Sequence, residues 1–336
     1  MPKALITDLE GLTLSDAEAR WLEDDDPLGI ILFARNIDTP EQVAKLTGDF
    51  RAVVGRDDAP VMVDQEGGRV ARLRQPHFWD GVAAGRLGAL ADDDAAEAVF
   101  LANRIMADDM ARCGIDVDCA PCLDLRLAGA DNVIGDRAFD ADPERVTVLG
   151  RAAAEGLAAG GVQPIIKHMP GYGRVQADPH VKLPVIDASL EELQAADLVP
   201  FKALRGQAWG MTAHAVYSAI DPARPATLSP IVISEVIRGA IGFDGVLVTD
   251  ALDMEALSGS HAERAMQCLE AGCDIAMHCN APLDVRRAVS DAVPDLSGEA
   301  KRRLSIAGSS RPAPASGFDR AQAIDRLGSL MGEAIH

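Results

Sequence analysis

The chain is 336 residues long and 48% hydrophobic, with a formal net charge of -20 at pH 7 and a pI near 4.7. That apolar fraction over that length is enough for a large core, and barrels of this size are routinely a single domain. The charge argues against nucleic acid or an anionic membrane as partner, because phosphate binding needs basic patches, and leaves a small ligand that is not strongly anionic.

Taken in order, the chain begins Met-Pro-Lys-Ala-Leu-Ile-Thr-Asp, without a basic region followed by a long apolar run, and no stretch approaches membrane-spanning length. The expectation is an unexported, cytoplasmic protein. Eight short β-like runs follow one another: Ala4 to Thr7, Gly29 to Phe33, Val61 to Val63, Ile115 to Val117, Pro164 to Ile166, Trp209 to Thr212, Val246 to Thr249 and Asp274 to Met277. Between and after them, apolar residues at helical spacing predict helices over Ser15 to Glu23, Pro40 to Val53, Asp92 to Arg112, Pro143 to Ala159, Leu190 to Leu204, Pro230 to Ile241, His261 to Ala271 and Leu283 to Val293. Thr39-Pro-Glu-Gln42 and Ser189-Leu-Glu-Glu192 read as capping boxes, while Asp142-Pro143 and Ser229-Pro230 place a cap before a proline at the first helical position. Alternating strands and helices mean a parallel sheet, and eight of them predict a single (β/α)8 TIM-like barrel over residues 1–310. Residues 311–336 read as a Pro-Ala-Pro-Ala-Ser-Gly linker and a C-terminal outer helix, Ala321 to Ile335, packed on the barrel.

Active sites of such barrels lie at the C-terminal ends of the strands. The residues there are polar: Asp8, Arg35 with Asn36, Asp64, Asp118 with Asp124, Lys167 with His168, His214, Asp250, and His278 with Asn280. Six cysteines in a long chain of this kind read as free thiols. Cys119-Ala-Pro-Cys122 has zinc or redox spacing, but no second C-x-x-C accompanies it, so the expectation is small buried residues and no metal.

The most informative stretch runs from Gln163 to Leu183. Pro164-Ile-Ile166 reads as a buried strand presenting Lys167 and His168 at its end, and the prolines and glycines beyond rule out regular structure. Within that loop, proline forces the residue before it into extended geometry, where residues two apart face the same side; Asp178 and His180 of Asp178-Pro179-His180 can therefore touch. Gly171 and Gly173 predict a loop that swings, carrying this pair toward or away from the rigid strand ends.

Lys167-His-x-Pro-Gly-x-Gly173 followed by Asp178-x-His180 resembles the signature of family 3 glycoside hydrolases, specifically the β-N-acetylglucosaminidases of bacterial cell-wall recycling. Asp64-Gln-Glu-Gly-Gly-Arg-Val-Ala-Arg72, Asn132-Val-Ile-Gly-Asp-Arg-Ala-Phe139, Met211-Thr-Ala-His-Ala-Val-Tyr217 and Val248-Thr-Asp-Ala-Leu-Asp-Met254 are similar to that family's other blocks, in its order. The resemblance implies a retaining exo-glycosidase without cofactor or metal, acting on GlcNAc-anhydroMurNAc and its peptides, as a monomer or weak homodimer. Asp250 would be the nucleophile, although the residues alone favour a cap on a helix from Ala251 to Leu257, a preference that the matching blocks reverse. His180, supported by Asp178, would be the acid/base, a task that suits an imidazole with its ordinary pKa of about 6.5. Asp64, Arg72, Arg137, Lys167 and His168 match positions that grip sugar hydroxyls; His214 would line the pocket beside them, with Tyr217 a weaker candidate.

The loop departs from the family's usual reading at Tyr172, Arg174, Val175 and Pro179, and Ala251 stands where a second aspartate often follows the nucleophile. Three alternatives remain open on residues alone: a phosphorylase or β-glucosidase of the same family, a metal-dependent barrel hydrolase using His168, His180 and His214, and a sugar-binding protein without catalysis.

Overall fold

A computed structural model describes residues 1–175, 183–254 and 257–335. Eight parallel strands form the barrel: β1 (Lys3–Thr7), β2 (Pro27–Leu32), β3 (Val61–Val63), β4 (Val117–Asp118), β5 (Gln163–Met169), β6 (Trp209–Thr212), β7 (Val246–Val248) and β8 (Ala276–Met277). They pair in sequence order, β8 returns to β1, and a parallel bridge between Val248 and Ile275 closes the ring. The strands are apolar on both sides, as expected of a sheet covered by helices outside and packed side chains within. Among the described residues, no helix is long and apolar enough to cross a membrane.

Most helix boundaries follow the sequence signals. Ser189 and Glu192 form the full reciprocal box. Thr39 is only half of one: its hydroxyl accepts from the Gln42 N–H, but the Gln42 side chain accepts from Asp38 instead. The helix expected over Leu190 to Leu204 is two, Leu190–Ala195 and Leu198–Ala203. Pro200 explains the break, since it cannot donate to the carbonyl of Ala196 and its ring crowds that position. The helix beginning at Pro230 is wound as wide π turns over Val232–Ile241, with the Ser229 hydroxyl accepting from the Val232 N–H.

Several elements were not legible, among them a small ribbon and a helix. Val185–Ile186 pairs with Val216–Tyr217 in a separate two-stranded parallel ribbon. Helix Gly298–Ser309 buries only Ala307 fully, too narrow an apolar stripe for its period to stand out. It closes the bottom of the barrel: the Gln163 amide donates to the Ala307 carbonyl at 2.8 Å and accepts from the Trp209 indole at 3.2 Å. The last helix, Arg320–Met331, packs against Asp92–Arg112, with Arg320 bonded to Asp108 and Asp109 and Arg326 to Glu97.

Candidate active site

A cavity of about 630 Å³ opens at the C-terminal ends of the strands. Its wall takes residues from or just after six of them, including Phe33, Asp64, Lys167, His168, Met211, Asp250 and Asn280. Arg72 and Arg137 reach the same space from loops. Consecutive residues of a regular strand face opposite sides. The register of β5 against β6 shifts between Ile166 and Met169, and both Lys167 and His168 reach the cavity.

The Asp64–Arg72 loop is folded by Gln65. Its carboxamide oxygen accepts from the N–H groups of Arg72 and Leu73 at 2.8 and 3.0 Å, and its NH2 donates to the Leu73 carbonyl, which returns Arg72 to Asp64. The turn needs glycine at Gly67 (φ 88°) and Gly68 (φ 61°), where a Cβ would meet Val82 and Ala83 at 2.6 and 2.7 Å. Arg137 follows a short turn that Arg69 pins through Asp136 and the carbonyls of Asn132, Val133 and Ile134.

These residues form one ionic cluster. Lys167 Nζ lies 2.9 Å from Asp64 Oδ1 and 2.7 Å from Glu66 Oε1, Arg72 Nη2 lies 3.3 Å from Asp64 Oδ2, and Arg137 binds both oxygens of Glu66 at 2.8 Å. Burial alone would push the Glu66 carboxyl up; the charges of Arg137 and Lys167 outweigh it and hold the group well below the ordinary range. Burial also works against the charged form of Lys167, and Asp64 and Glu66 reverse that, raising it further above its usual value. The cations are fixed as cations, suited to polarised hydrogen bonds with hydroxyl oxygens.

His168 is oriented by Asp124, whose Oδ2 lies 2.7 Å from Nδ1, while Arg137 Nη2 approaches Nε2 at 3.4 Å. The guanidinium can only donate, so the tautomer that fits carries its proton on Nδ1 and its lone pair on Nε2. Burial raises Asp124, but His168 and the hydrogen bonds from the ring, Tyr172 and Cys122 bring it below its ordinary value.

Asp250 stands on the other wall. Its Oδ1 accepts from the Ala251 N–H at 2.7 Å, its only hydrogen bond among the described residues, so Oδ2 faces the cavity unengaged. No helix starts there among the described residues, which removes the capping role. Asp253, also in the wall, uses both oxygens, on Cys279 and Asn280.

Several strand-end residues do other work. His214, expected in the pocket, is 1% exposed and does not line it: Nε2 donates to the Ala251 carbonyl at 3.0 Å and Nδ1 faces the Thr227 hydroxyl at 2.7 Å, leaving no ring nitrogen for a sugar. It braces the peptide beside Asp250. Tyr217 donates to the Gly171 carbonyl, and Asn36 to the carbonyls of Leu9 and Gly11. Burial pushes His278 down to about 3, and its Nε2 pairs with His261 Nδ1 at 2.7 Å. Asp118 lies beneath the cluster, pushed well above its ordinary value by burial.

The glycines expected to let the loop swing are packed instead. A Cβ on Gly171 would meet Asp197 at 2.9 Å and one on Gly173 the Leu125 carbonyl at 2.2 Å; Tyr172 N–H is held by Asp124 and Arg174 by Asp197. Through Val175 this segment is built for close approach rather than rotation. Asp178, Pro179 and His180 lie outside the described residues.

Cys122, Asp124 and His168 bring potential ligand atoms within 4.8 Å of one another, the one such group among the described residues. Their protons already bind them together: Cys122 Sγ donates to the same Asp124 oxygen at 3.2 Å, and burial pushes that thiol well above its usual range. Neighbouring Arg137 adds a positive charge that opposes a cation there.

Glu66 and the pairing of Asp124 with His168 were not foreseen. The signal for Glu66 was a charge count: Arg72, Arg137 and Lys167 converging on one site need more than Asp64, and Glu66 is the next acid in the same block.

Residues 4–307 match the family described as the glycosyl hydrolase family 3 N terminal domain. A beta-hexosaminidase of Alkalilimnicola ehrlichii is 41% identical over 307 residues, 89% of this chain and 87% of that protein. Another, from Methylococcus capsulatus, is 37% identical over 97% of this chain and 99% of its own. The crystal structure of NagZ from Neisseria gonorrhoeae in complex with N-trifluoroacetyl-D-glucosamine superposes with a TM-score of 0.88 at 34% identity, covering 98% of both chains. With its barrel and its match over nearly the whole length, the chain belongs to glycosyl hydrolase family 3 and is a glycoside hydrolase.

Proposed function

We propose that the protein is a retaining exo-β-N-acetylglucosaminidase of the cytoplasm that removes non-reducing terminal GlcNAc from anhydromuramyl fragments in cell-wall recycling. Residues 1–310 act as the catalytic barrel and residues 311–336 as its outer support. The observation that carries the reading is the contrast among the described carboxylates of the cavity wall: Asp64 is neutralised by Lys167 and Arg72, Asp253 is fully hydrogen-bonded, and only Asp250 offers a free oxygen. That is what attack on an anomeric carbon requires. Asp64, Arg72, Arg137, Lys167 and His168 hold the sugar against it.

The acid/base is His180, supported by Asp178. His168 is unsuited to the task, because its Nδ1 proton is committed to Asp124 and its Nε2 faces a donor. His180 protonates the leaving oxygen as Asp250 forms the glycosyl ester, then takes a proton from the water that resolves it with retention. The relatives named above support N-acetylglucosamine as the sugar.

The reaction is tested with 4-nitrophenyl N-acetyl-β-D-glucosaminide, the matching glucoside, and purified GlcNAc-anhydroMurNAc. Release of free GlcNAc in phosphate-free, chelator-treated buffer is expected. Formation of GlcNAc 1-phosphate in phosphate would make the enzyme a phosphorylase, preference for the glucoside would change the substrate, and loss on chelation restored by one metal would change the mechanism.

A further inference from the structure

Far from the cavity, Arg104 sits in the middle of helix Asp92–Arg112 and is 5% exposed. Its Nη1 is buried without a hydrogen-bond partner, and no described residue offers the side chain an acceptor. The other arginines of this region are matched: Arg112 with Asp109, Arg320 with Asp108 and Asp109, Arg326 with Glu97. The Phe318 ring lies 3.7 Å from the Arg104 guanidinium carbon and covers a face of the group. The N–H donors point in the plane of a guanidinium, so stacking does not satisfy them.

Beside Arg104 is a cleft of about 610 Å³, well within the range of small-ligand sites. Phe100, Leu101, Phe318 and Ala323 give it apolar walls. One side belongs to the linker, pinned where the Ala315 N–H donates to the Ala159 carbonyl at 2.9 Å. At the rim stand Asp319 and Asp325, which would repel a multiply charged anion.

We propose that this cleft binds a small amphipathic monocarboxylate, with its carboxylate on the in-plane donors of Arg104 and its hydrocarbon body against Phe100, Leu101 and Ala323. A buried guanidinium N–H without an acceptor is costly, and a carboxylate matches the group's donor fork. A neutral polar sugar has no use for such walls, so this site is chemically distinct from the glycosidase cavity. Since Phe318 and Ala315 come from the C-terminal segment, bound ligand bridges that segment to the barrel and stabilises the folded chain by linkage.

The test is isothermal titration of the full chain with 4-phenylbutyrate and with uncharged 4-phenylbutanol. One saturable site is expected for the carboxylate, weakened about tenfold or more both for the alcohol and in Arg104→Met. Ser316→Trp, at an exposed rim position, fills the cleft without disturbing the core and should abolish binding while glycosidase activity stays unchanged. No saturable binding up to about 10 mM overturns the proposal. So does equal binding of the alcohol, which would make the cleft merely apolar, or binding undiminished in Ser316→Trp, which would put the ligand elsewhere.

Discussion

Arg137 grips Glu66 through two parallel hydrogen bonds, Nε to Oε2 and Nη2 to Oε1, both 2.8 Å. The Glu66 side chain is buried and that of Arg137 largely so, and Lys167 adds a third contact to the same carboxylate at 2.7 Å. Removing one partner of a buried ion pair leaves charge uncompensated, so Glu66→Gln should cost about 3–5 kcal/mol of folding stability at neutral pH. The pH dependence has a definite sign. Glu66 is held below its ordinary value of 4.5, so its contribution is complete above that value and disappears as pH falls toward the depressed folded value. Urea denaturation of both proteins should give a gap that is constant from neutral pH down to about 5 and narrows below it. A gap of under about 1 kcal/mol at pH 7 would mean that the pair is no more than a surface ion pair in effect.

Asp124 orients the His168 ring, and asparagine cannot replace it. Its amide would set an NH2 group against either the His168 Nδ1 proton or the Tyr172 N–H, both of which Asp124 now accepts. Asp124→Asn should lower kcat/KM on the aryl N-acetylglucosaminide by about 10–100-fold, the cost of a hydrogen bond to a charged group. Steady-state kinetics check this; a change under about twofold would show that Asp124 does not govern the ring.

The order of elements was legible because each barrel strand is a short apolar run between helices with their own caps, and because Asp64, Lys167 and Asp250 end such runs. What each polar strand end does was not. His214 and Asp250 follow equivalent strands, but only the fold reveals that Thr227 and the Ala251 carbonyl consume both nitrogens of the first. Gly171 and Gly173 were misread for a related reason: glycine serves both rotation and close packing, and the neighbours that decide between them, Asp197 and Leu125, are distant in sequence. Arg104 gave no sign at all, since it looks like any helical arginine until Phe318 folds over it.

If the proposed acid/base assignment holds, Asp178 and His180 should act as a unit, because the carboxylate would work only through the imidazole. Asp178→Ala, His180→Ala and the double variant should lose similar activity, far from the product of the two single losses. His180→Ala should slow alkyl glycosides and the disaccharide by about 10²–10⁴-fold while affecting activated aryl glycosides much less, since these leave with little protonation. Equal losses on both substrate types would assign the proton to another group.

The central claim is that the free oxygen of Asp250 attacks the sugar, and its most direct measurement is azide rescue of Asp250→Ala. Turnover of the aryl N-acetylglucosaminide should fall by roughly 10⁴-fold or more, the scale on which loss of a nucleophile is felt. Azide should enter the space left by the carboxylate, restore part of the rate and yield a glycosyl azide of inverted anomeric configuration, identifiable by NMR. Near-wild-type turnover of Asp250→Ala, or an azide product of retained configuration, would contradict the assignment.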